Sequence, residues 1–448
     1  MSPQKVWRPL FLILLWLASA YFLAIPLLRP RAVYGWGHYR LIDLYFGIPL
    51  LLLSVCLTAS LFVPATRRKQ VTFKLIALLT SVLITLAVLD IGYAFIVEAA
   101  WKPSHTDVWF DGILLTKKDN VPDEELGFRR KPRLEWEGRL SPQSRWLIYG
   151  TDDNGFRNPR GITKADVVFI GDSFTEAASV PDEETFAQQF HSQAKLDVVN
   201  LGCGGYGPQQ ELTVLRRYGF KYNPRLVVWQ IFEGNDLSDA AHFAKWRASP
   251  NEHESLLLRY TKHSIITGLL ARTIPKVWGS PRPFTDSTGQ IGQLFVDYSY
   301  IPDEPAREPL GMAETRKAIE EGYNLCQSHG VKLLVIFVPI KVRVMGPYIH
   351  FKDANDRNVY LPGGQQDSDS DFGTAVAKLC KQLGCPFIDM TSALRRRAAE
   401  DNRKIYFTVQ DSHLDADGHV VVAQTLAEWV RTNLSQPSES AAVALPKR

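Results

Sequence analysis

Val167-Val168-Phe169-Ile170-Gly171-Asp172-Ser173 joins four consecutive apolar residues to a glycine, an acid and a serine. An unbroken apolar run of this length predicts a strand buried on both faces, as in a parallel sheet. Gly-Asp-Ser then predicts a turn at the carboxyl end of that strand, where open parallel sheets bind their ligands. Four more runs of the same kind follow: Val198-Val199-Asn200-Leu201, Leu226-Val227-Val228-Trp229, Leu333-Leu334-Val335-Ile336-Phe337 and Phe387-Ile388-Asp389. Amphipathic stretches at Glu183–Ser192, Gln209–Tyr218, Thr315–His329 and Thr374–Leu383 separate them, and Gly418–Leu434 closes the series. Strand and helix alternating in this way predict an α/β fold, a three-layer α/β/α arrangement around a parallel five-stranded sheet. The stretch Ala240–Met312 interrupts the rhythm and is expected to be an insertion with its own helices and a hairpin within Gly289–Tyr300.

Ahead of this domain the composition changes. Pro9–Leu28 and Leu44–Val63 contain no charged residue, and Leu75–Val97 contains only Asp90. Each meets the roughly 20 residues that cross a bilayer as a helix, so three transmembrane helices are expected in a membrane region spanning residues 1–100. Ala18-Ser19-Ala20 resembles a signal-peptide cleavage site, but the apolar run continues past it. With the N-terminus inside, the inner flanks carry Lys5, Arg8, Arg67, Arg68, Lys69 and Lys74, against Arg29, Arg31 and Arg40 outside. That bias places everything after Trp101 outside the cytoplasm, facing the periplasm or cell surface. Asp90 is expected near the outer interface, within reach of water. Residues 101–160 read as a connector with some strand that packs on the α/β domain. Residues 161–434 read as that domain, and 435–448 as a disordered polar tail.

Composition excludes several function classes. A net charge of +4 over 448 residues is too small and too scattered to predict nucleic-acid binding. The five cysteines, Cys56, Cys203, Cys326, Cys380 and Cys385, show no metal-ligand spacing, and no cofactor or metal is expected. An oxidising compartment would permit Cys380 to pair with Cys385 or Cys326, but free or buried thiols are the simpler reading. The Gly202–Gly207 stretch lacks the Lys-Ser/Thr of a phosphate-binding loop.

Three islands carry chemistry: Gly171-Asp172-Ser173, Gly234-Asn235-Asp236 and Asp411-Ser412-His413. A serine hydroxyl attacks an ester only when a base takes its proton, and the resulting oxyanion needs donors already aimed at it. Singly, each island has a plainer reading, as a turn or a helix cap. Ser173 and Asn235 follow strand ends and His413 opens the loop before the last helix, so together the islands supply a nucleophile, an amide donor and a base. His419 follows Asp417 as His413 follows Asp411, but Gly418-His419 reads as the start of the last helix.

In this order the islands resemble the SGNH (GDSL-type) hydrolase superfamily, over roughly Asp166–Leu434 with the insertion unmatched. The resemblance implies that Ser173 is the nucleophile and His413 the base. It also implies that the N–H groups of Ser173 and Gly205 and the amide of Asn235 form the oxyanion hole. Two positions depart from the family pattern. Glu233 stands where the third block has glycine. Asp411 stands two residues before His413, where the family's acid stands three before, at the position of Gln410. The loop must therefore turn differently if Asp411 is to orient the imidazole. Val338-Pro339-Ile340-Lys341 is similar to a Pro-x-Lys segment of the alginate-acetylation proteins, although Lys341 also reads as a solvated loop lysine. Added to the predicted membrane helices and their charge bias, these resemblances imply a membrane-anchored, outward-facing serine esterase or O-acetyltransferase acting on O-acetyl groups of carbohydrate, with a membrane-bound acyltransferase as partner. A lipase or lysophospholipase acting on bilayer lipid, and a non-catalytic component of polysaccharide assembly, are the alternatives.

Overall fold

The computed structural model describes residues 4–24, 41–100, 120–138, 147–248, 264, 280–286, 288–362, 369–400, 405–407 and 411–434. The chain divides into two compact units, Met1–Pro103 with Ser249–Ser280, and Ser104–Ala248 with Pro281–Arg448.

The first unit contains helices Gln4–Leu23, Leu41–Ser60 and Ala65–Ala100. The first two lie against each other: Ser19 Oγ and Ser54 Oγ are 3.3 Å apart, and Trp16 Nε1 donates to Thr58 Oγ1 at 3.1 Å. Both serine hydroxyls also return to the carbonyl four residues earlier, which satisfies them among apolar neighbours. Of the three predicted spans, Thr66–Tyr93 in the third helix is long and apolar enough to cross a membrane. The apolar parts of the other two are shorter among the described residues, Phe11–Leu23 and Phe46–Ala59. Residues 25–40, where the first span was expected to end, lie outside them. Phe73, Leu78, Val88 and Leu89 of the third helix are more than half exposed. Asp90, expected within reach of water, is instead buried and accepts a hydrogen bond from Ser264 Oγ at 2.7 Å.

The second unit opens with two antiparallel pairs, β1 (Asn120–Asp123) with β2 (Gly127–Arg130) and β3 (Glu135–Gly138) with β4 (Leu147–Gly150). The central strands are β5 (Val167–Ile170), β6 (Val198–Asn200), β7 (Leu226–Phe232), β10 (Lys332–Val338) and β11 (Phe387–Asp389). Between β7 and β10 lies a separate two-stranded pair, β8 (Ser280–Thr285) with β9 (Ile291–Val296). The five-stranded sheet has order β11-β10-β7-β5-β6 and every pairing is parallel, as expected. Val167 registers with both Leu226 and Val198. Alternation along each strand divides the core into two layers. Val167, Phe169, Val228, Leu334 and Ile336 pack with Phe186, Phe190, Val422 and Leu426. Val168, Ile170, Val227, Trp229 and Phe337 pack with Leu212, Leu215, Ile319 and Phe372. Full burial of each such side chain contributes about 1.5–3 kcal/mol, so helices must cover both faces.

Among the described residues, helices cover both faces. Phe186–Ala194, Thr391–Ala399 and Ala416–Asn433 supply the first layer; Pro208–Arg217, Pro309–Ser328 and Asp371–Leu383 supply the second. The helix predicted from Thr315 begins earlier, because Pro309 is pre-set for a first turn. Leu126, Phe128 and Phe156, from the stretch read as a connector, belong to the core. Gln210 Nε2 also donates to Leu126 O at 2.7 Å, and Tyr206 Oη to Phe128 O at 2.6 Å. Helix Asp236–Ala248 runs through the expected start of the insertion, and residues 249–263 and 265–279 lie outside the described residues. The predicted hairpin contributes β9, but its partner β8 lies upstream of Gly289. All five cysteines are free, and Cys326, Cys380 and Cys385 are buried thiols.

Candidate active site

At the end of β5, a Cβ on Gly171 would stand 2.3 Å from Thr175 Oγ1 and 2.5 Å from Gln230 Oε1. Glycine is therefore what allows the chain to turn here. Asp172 caps the helical turn Ser173–Glu176, its carboxylate accepting from Phe174 N at 2.9 Å. Ser173 is the first residue of that turn and is only half-buried. From the other side, an antiparallel bridge between Tyr406 and Leu414 and the Asp415 cap on the last helix hold the chain around His413.

The loop closes the constellation. His413 Nε2 lies 2.7 Å from Ser173 Oγ, and His413 Nδ1 lies 2.6 Å from Asp411 Oδ1. An ionised carboxylate can only accept, so Nδ1 carries a proton, and in the neutral ring Nε2 is left to accept from the serine. Asp411 Oδ1 also accepts from the backbone N of His413 at 2.9 Å, while Oδ2 accepts from Ser179 Oγ at 3.0 Å. A side chain that bonds both the backbone and the ring two residues ahead makes the two-residue spacing sufficient. His419, the rival, is elsewhere: it is buried in the last helix and its Nδ1 accepts from Phe186 N at 3.2 Å.

Electrostatics follow from burial and pairing. Burial would raise the Asp411 carboxyl, but His413 outweighs it and holds the group at about 2. Burial would lower His413, but Asp411, with Asp172 and Asp297, raises it above the ordinary imidazole value. Burial pushes Asp172 up to about 6, and pushes His419 down to about 3. His413 thus has the stronger basicity, and His419 stays neutral at ordinary pH.

Gly205 adopts a φ of +86° in the loop after β6, in the left-handed region that glycine enters freely. Its neighbour Gly204 donates its backbone N–H to Glu176 Oε2 at 2.5 Å. Glu176 is buried and also bonds Arg130 Nε at 2.9 Å, Arg130 Nη2 at 2.6 Å and Tyr149 Oη. Burial would raise this acid, yet Arg130 keeps it below the usual carboxylate range. Asn235 Nδ2 donates to Asp239 Oδ2 at 2.7 Å. An amide nitrogen has two N–H groups, so one remains for a ligand. Glu233, the departure from glycine, pairs with Arg343 through Nε at 2.8 and 2.9 Å and also through Nη2, and accepts from Ile340 N at 3.0 Å. The exception thereby becomes a brace between the ends of β7 and β10.

Lys341 corrects its reading as a solvated loop residue. It is 1% exposed, and its ammonium donates to the carbonyls of Phe295 and Phe407 at 2.9 Å each and to that of Asp411. Sequence reasoning also missed Ser179, Glu176, Arg130 and Asp239. Their partners lie too far along the chain, or in too ordinary a local context, to leave a local signal. Asp172 was legible only as part of a turn; its capping of Ser173–Glu176 emerges from the structure.

A doubly covered parallel sheet with serine, imidazole and carboxylate linked at its carboxyl edge defines a serine-type ester hydrolase architecture. Residues 169–421 match the GDSL-like Lipase/Acylhydrolase family, and the chain belongs to it: this is an SGNH-type ester hydrolase. No curated protein matches the sequence. Among solved structures, the chain is similar to a catalytic mutant of Axe2, an acetylxylan esterase from Geobacillus stearothermophilus. Identity is 12%, over 60% of this chain and 94% of that one, with a TM-score of 0.33. It is also similar to a protein described as lipolytic and of the G-D-S-L family from Desulfitobacterium hafniense DCB-2 (12%, 59% and 98%, TM-score 0.32). A third is the acetyl xylan esterase AlAXEase (14%, 59% and 98%, TM-score 0.31).

Proposed function

We propose that Ser173 is the nucleophile, His413 the general base and Asp411 its orienting acid in a membrane-anchored serine esterase or O-acetyltransferase that handles O-acetyl groups of carbohydrate. The continuous chain from Ser173 Oγ through both ring nitrogens of His413 to Asp411 carries this reading. Ser173 Oγ attacks the ester carbonyl as its proton passes to His413 Nε2, a role that contributes roughly 10²–10⁴-fold. The N–H groups of Ser173 and Gly205 and the amide of Asn235 receive the oxyanion. His413 then returns the proton to the leaving alcohol, and an acyl-Ser173 ester remains. Water completes hydrolysis; a sugar hydroxyl completes transfer. Asp411 stabilises the imidazolium without taking the proton itself. No step requires a metal or cofactor.

The apolar surface of Thr66–Tyr93 supports the membrane anchor. The three crossings, the outward orientation and a membrane-bound acyltransferase as acyl donor complete the proposal, on the charge bias and the resemblance to alginate-acetylation proteins. Leu256-Leu257-Leu258 and Ile265-Ile266, which would line a lipid groove in the competing reading, lie outside the described residues.

The test is hydrolysis of p-nitrophenyl esters from acetyl to octanoyl by the full chain in detergent, together with fluorophosphonate labelling. The expected result is acetyl preference and labelling in the wild type, both lost in Ser173→Ala. Activity that rises with acyl length would transfer the assignment to lipid. Equal activity in Ser173→Ala would overturn the nucleophile.

A further inference from the structure

Lys341 opens the short helix that follows β10. Taking a cation out of water costs several kcal/mol even after relaxation, so a lysine that is 1% exposed needs strong partners. Among the described residues it has three, all backbone carbonyls: Phe295 in β9, Phe407 beside the Tyr406–Leu414 bridge, and Asp411 itself. An ammonium carries three N–H donors and a neutral amine only two, so satisfying all three acceptors requires the charged form. Phe407 N in turn donates to His413 O at 3.1 Å. The lysine therefore grips the His413 loop at two points, and its third bond ties β9 to that loop. Just past β9, Tyr298 packs edge-on against Phe232, ring centroids 5.5 Å apart, beside the Asn235 loop.

We propose that Lys341 is a positioning residue for the catalytic base: through the carbonyls of Phe407 and Asp411 it sets the register of the Asp411–His413 loop, and through Phe295 it locks the β8–β9 hairpin onto that loop. This rests on the reading of Ser173 and His413 as nucleophile and base. Lys341 touches no reacting atom, so it acts through geometry and field. The carboxylates around His413 are Asp411, Asp172 and Asp297, and those around Lys341 are Asp297, Asp411 and Asp415. Removing the cation leaves these anions less compensated, which favours the imidazolium. His413 must be neutral to accept the serine proton, so the acid limb of kcat/KM moves to higher pH. A lysine that merely filled space would leave that limb where it is.

The experiment uses the full chain in detergent and four proteins: wild type, Lys341→Met, Lys341→Arg, and Lys341→Cys before and after alkylation with 2-bromoethylamine, which rebuilds an ammonium at nearly the original reach. For p-nitrophenyl acetate, Lys341→Met is expected to lower kcat about 10–100-fold, since a displacement near 1 Å costs about 10²-fold, with KM nearly unchanged and the acid limb shifted up. Lys341→Arg keeps the charge but not the three-way donor geometry, so its limb stays near wild type while kcat remains low. Aminoethylation of Lys341→Cys is expected to restore both kcat and the limb, with wild type treated in parallel as control. If Lys341→Met does not fold, the alkylated and unalkylated Lys341→Cys proteins carry the comparison alone. A folded Lys341→Met with wild-type kcat and an unmoved limb overturns the proposal, as does a loss that aminoethylation, verified as complete at position 341 by peptide mass spectrometry, fails to repair. Wild-type labelling of Ser173 by fluorophosphonate separates the two levels. Without it the functional reading falls and takes this inference with it; with it, wild-type kinetics in the variants sink the inference alone.

Discussion

Replacing Asp411 by asparagine removes a charge while keeping every contact possible. In the native loop, Oδ1 accepts from both His413 N and His413 Nδ1, at 2.9 and 2.6 Å. An asparagine Oδ1 can accept both. The Oδ2 position, which takes a hydrogen bond from Ser179 Oγ at 3.0 Å, would become an amide donating to the same hydroxyl. The loop turn and the ring orientation survive, so the change isolates the charge. In the transition state the imidazolium faces that charge, and opposite unit charges about 4 Å apart at an effective dielectric near 20 attract by about 4 kcal/mol. At about 1.4 kcal/mol per decade, kcat/KM for p-nitrophenyl acetate should fall by roughly 10³-fold. The pH profile adds a sign. Asp411 is the largest influence raising His413, so its loss lowers the imidazole value and moves the acid limb of kcat/KM to lower pH. The assay is a kcat/KM profile between about pH 5 and 9 for full-length wild type and Asp411→Asn in detergent, with circular dichroism to establish that the fold is kept. A folded variant within about threefold of wild type, its acid limb unmoved, would refute the assignment of Asp411 and leave His413 oriented by its loop alone.

Two further outcomes follow from the site. Asn235→Ala should lose about 3–4 kcal/mol of transition-state stabilisation, read as a drop in kcat with KM for the acetyl ester little altered; a pure KM effect would place the amide outside the oxyanion hole. Glu233→Ala removes the carboxylate paired with the buried Arg343 guanidinium, and breaking such a pair costs about 3–5 kcal/mol. It should therefore lower the thermal midpoint of the catalytic unit, measured by intrinsic fluorescence, and an unchanged midpoint would show that the brace is dispensable.

The sequence by itself determined the parallel sheet and the places where chemistry could sit. Val167–Ile170, Leu226–Trp229 and Leu333–Phe337 are apolar without alternation because strands covered on both faces lose solvent on both. Ser173, Asn235 and His413 stand just beyond such strands or before the last helix, so order along the chain was enough to propose their meeting. The departures were legible too, but not their outcome. Whether Asp411 could reach His413 from two residues away depended on a turn made by its own side chain. Glu233 became intelligible only beside Arg343. Lys341 was indistinguishable from a surface lysine until the carbonyls of Phe295, Phe407 and Asp411 closed around it. The strand order β11-β10-β7-β5-β6, and the use of residues before Asp166 as core and, through Arg130 and Tyr149, as partners of the Glu176 carboxylate that holds Gly204 N, were likewise settled by tertiary structure. Hydrophobic runs, caps and turns are short-range interactions and leave a mark within a few residues. A buried ion pair or a carbonyl cage joins distant segments of chain, and its stability depends on the solvent excluded when those segments pack, a quantity that no local window of sequence contains.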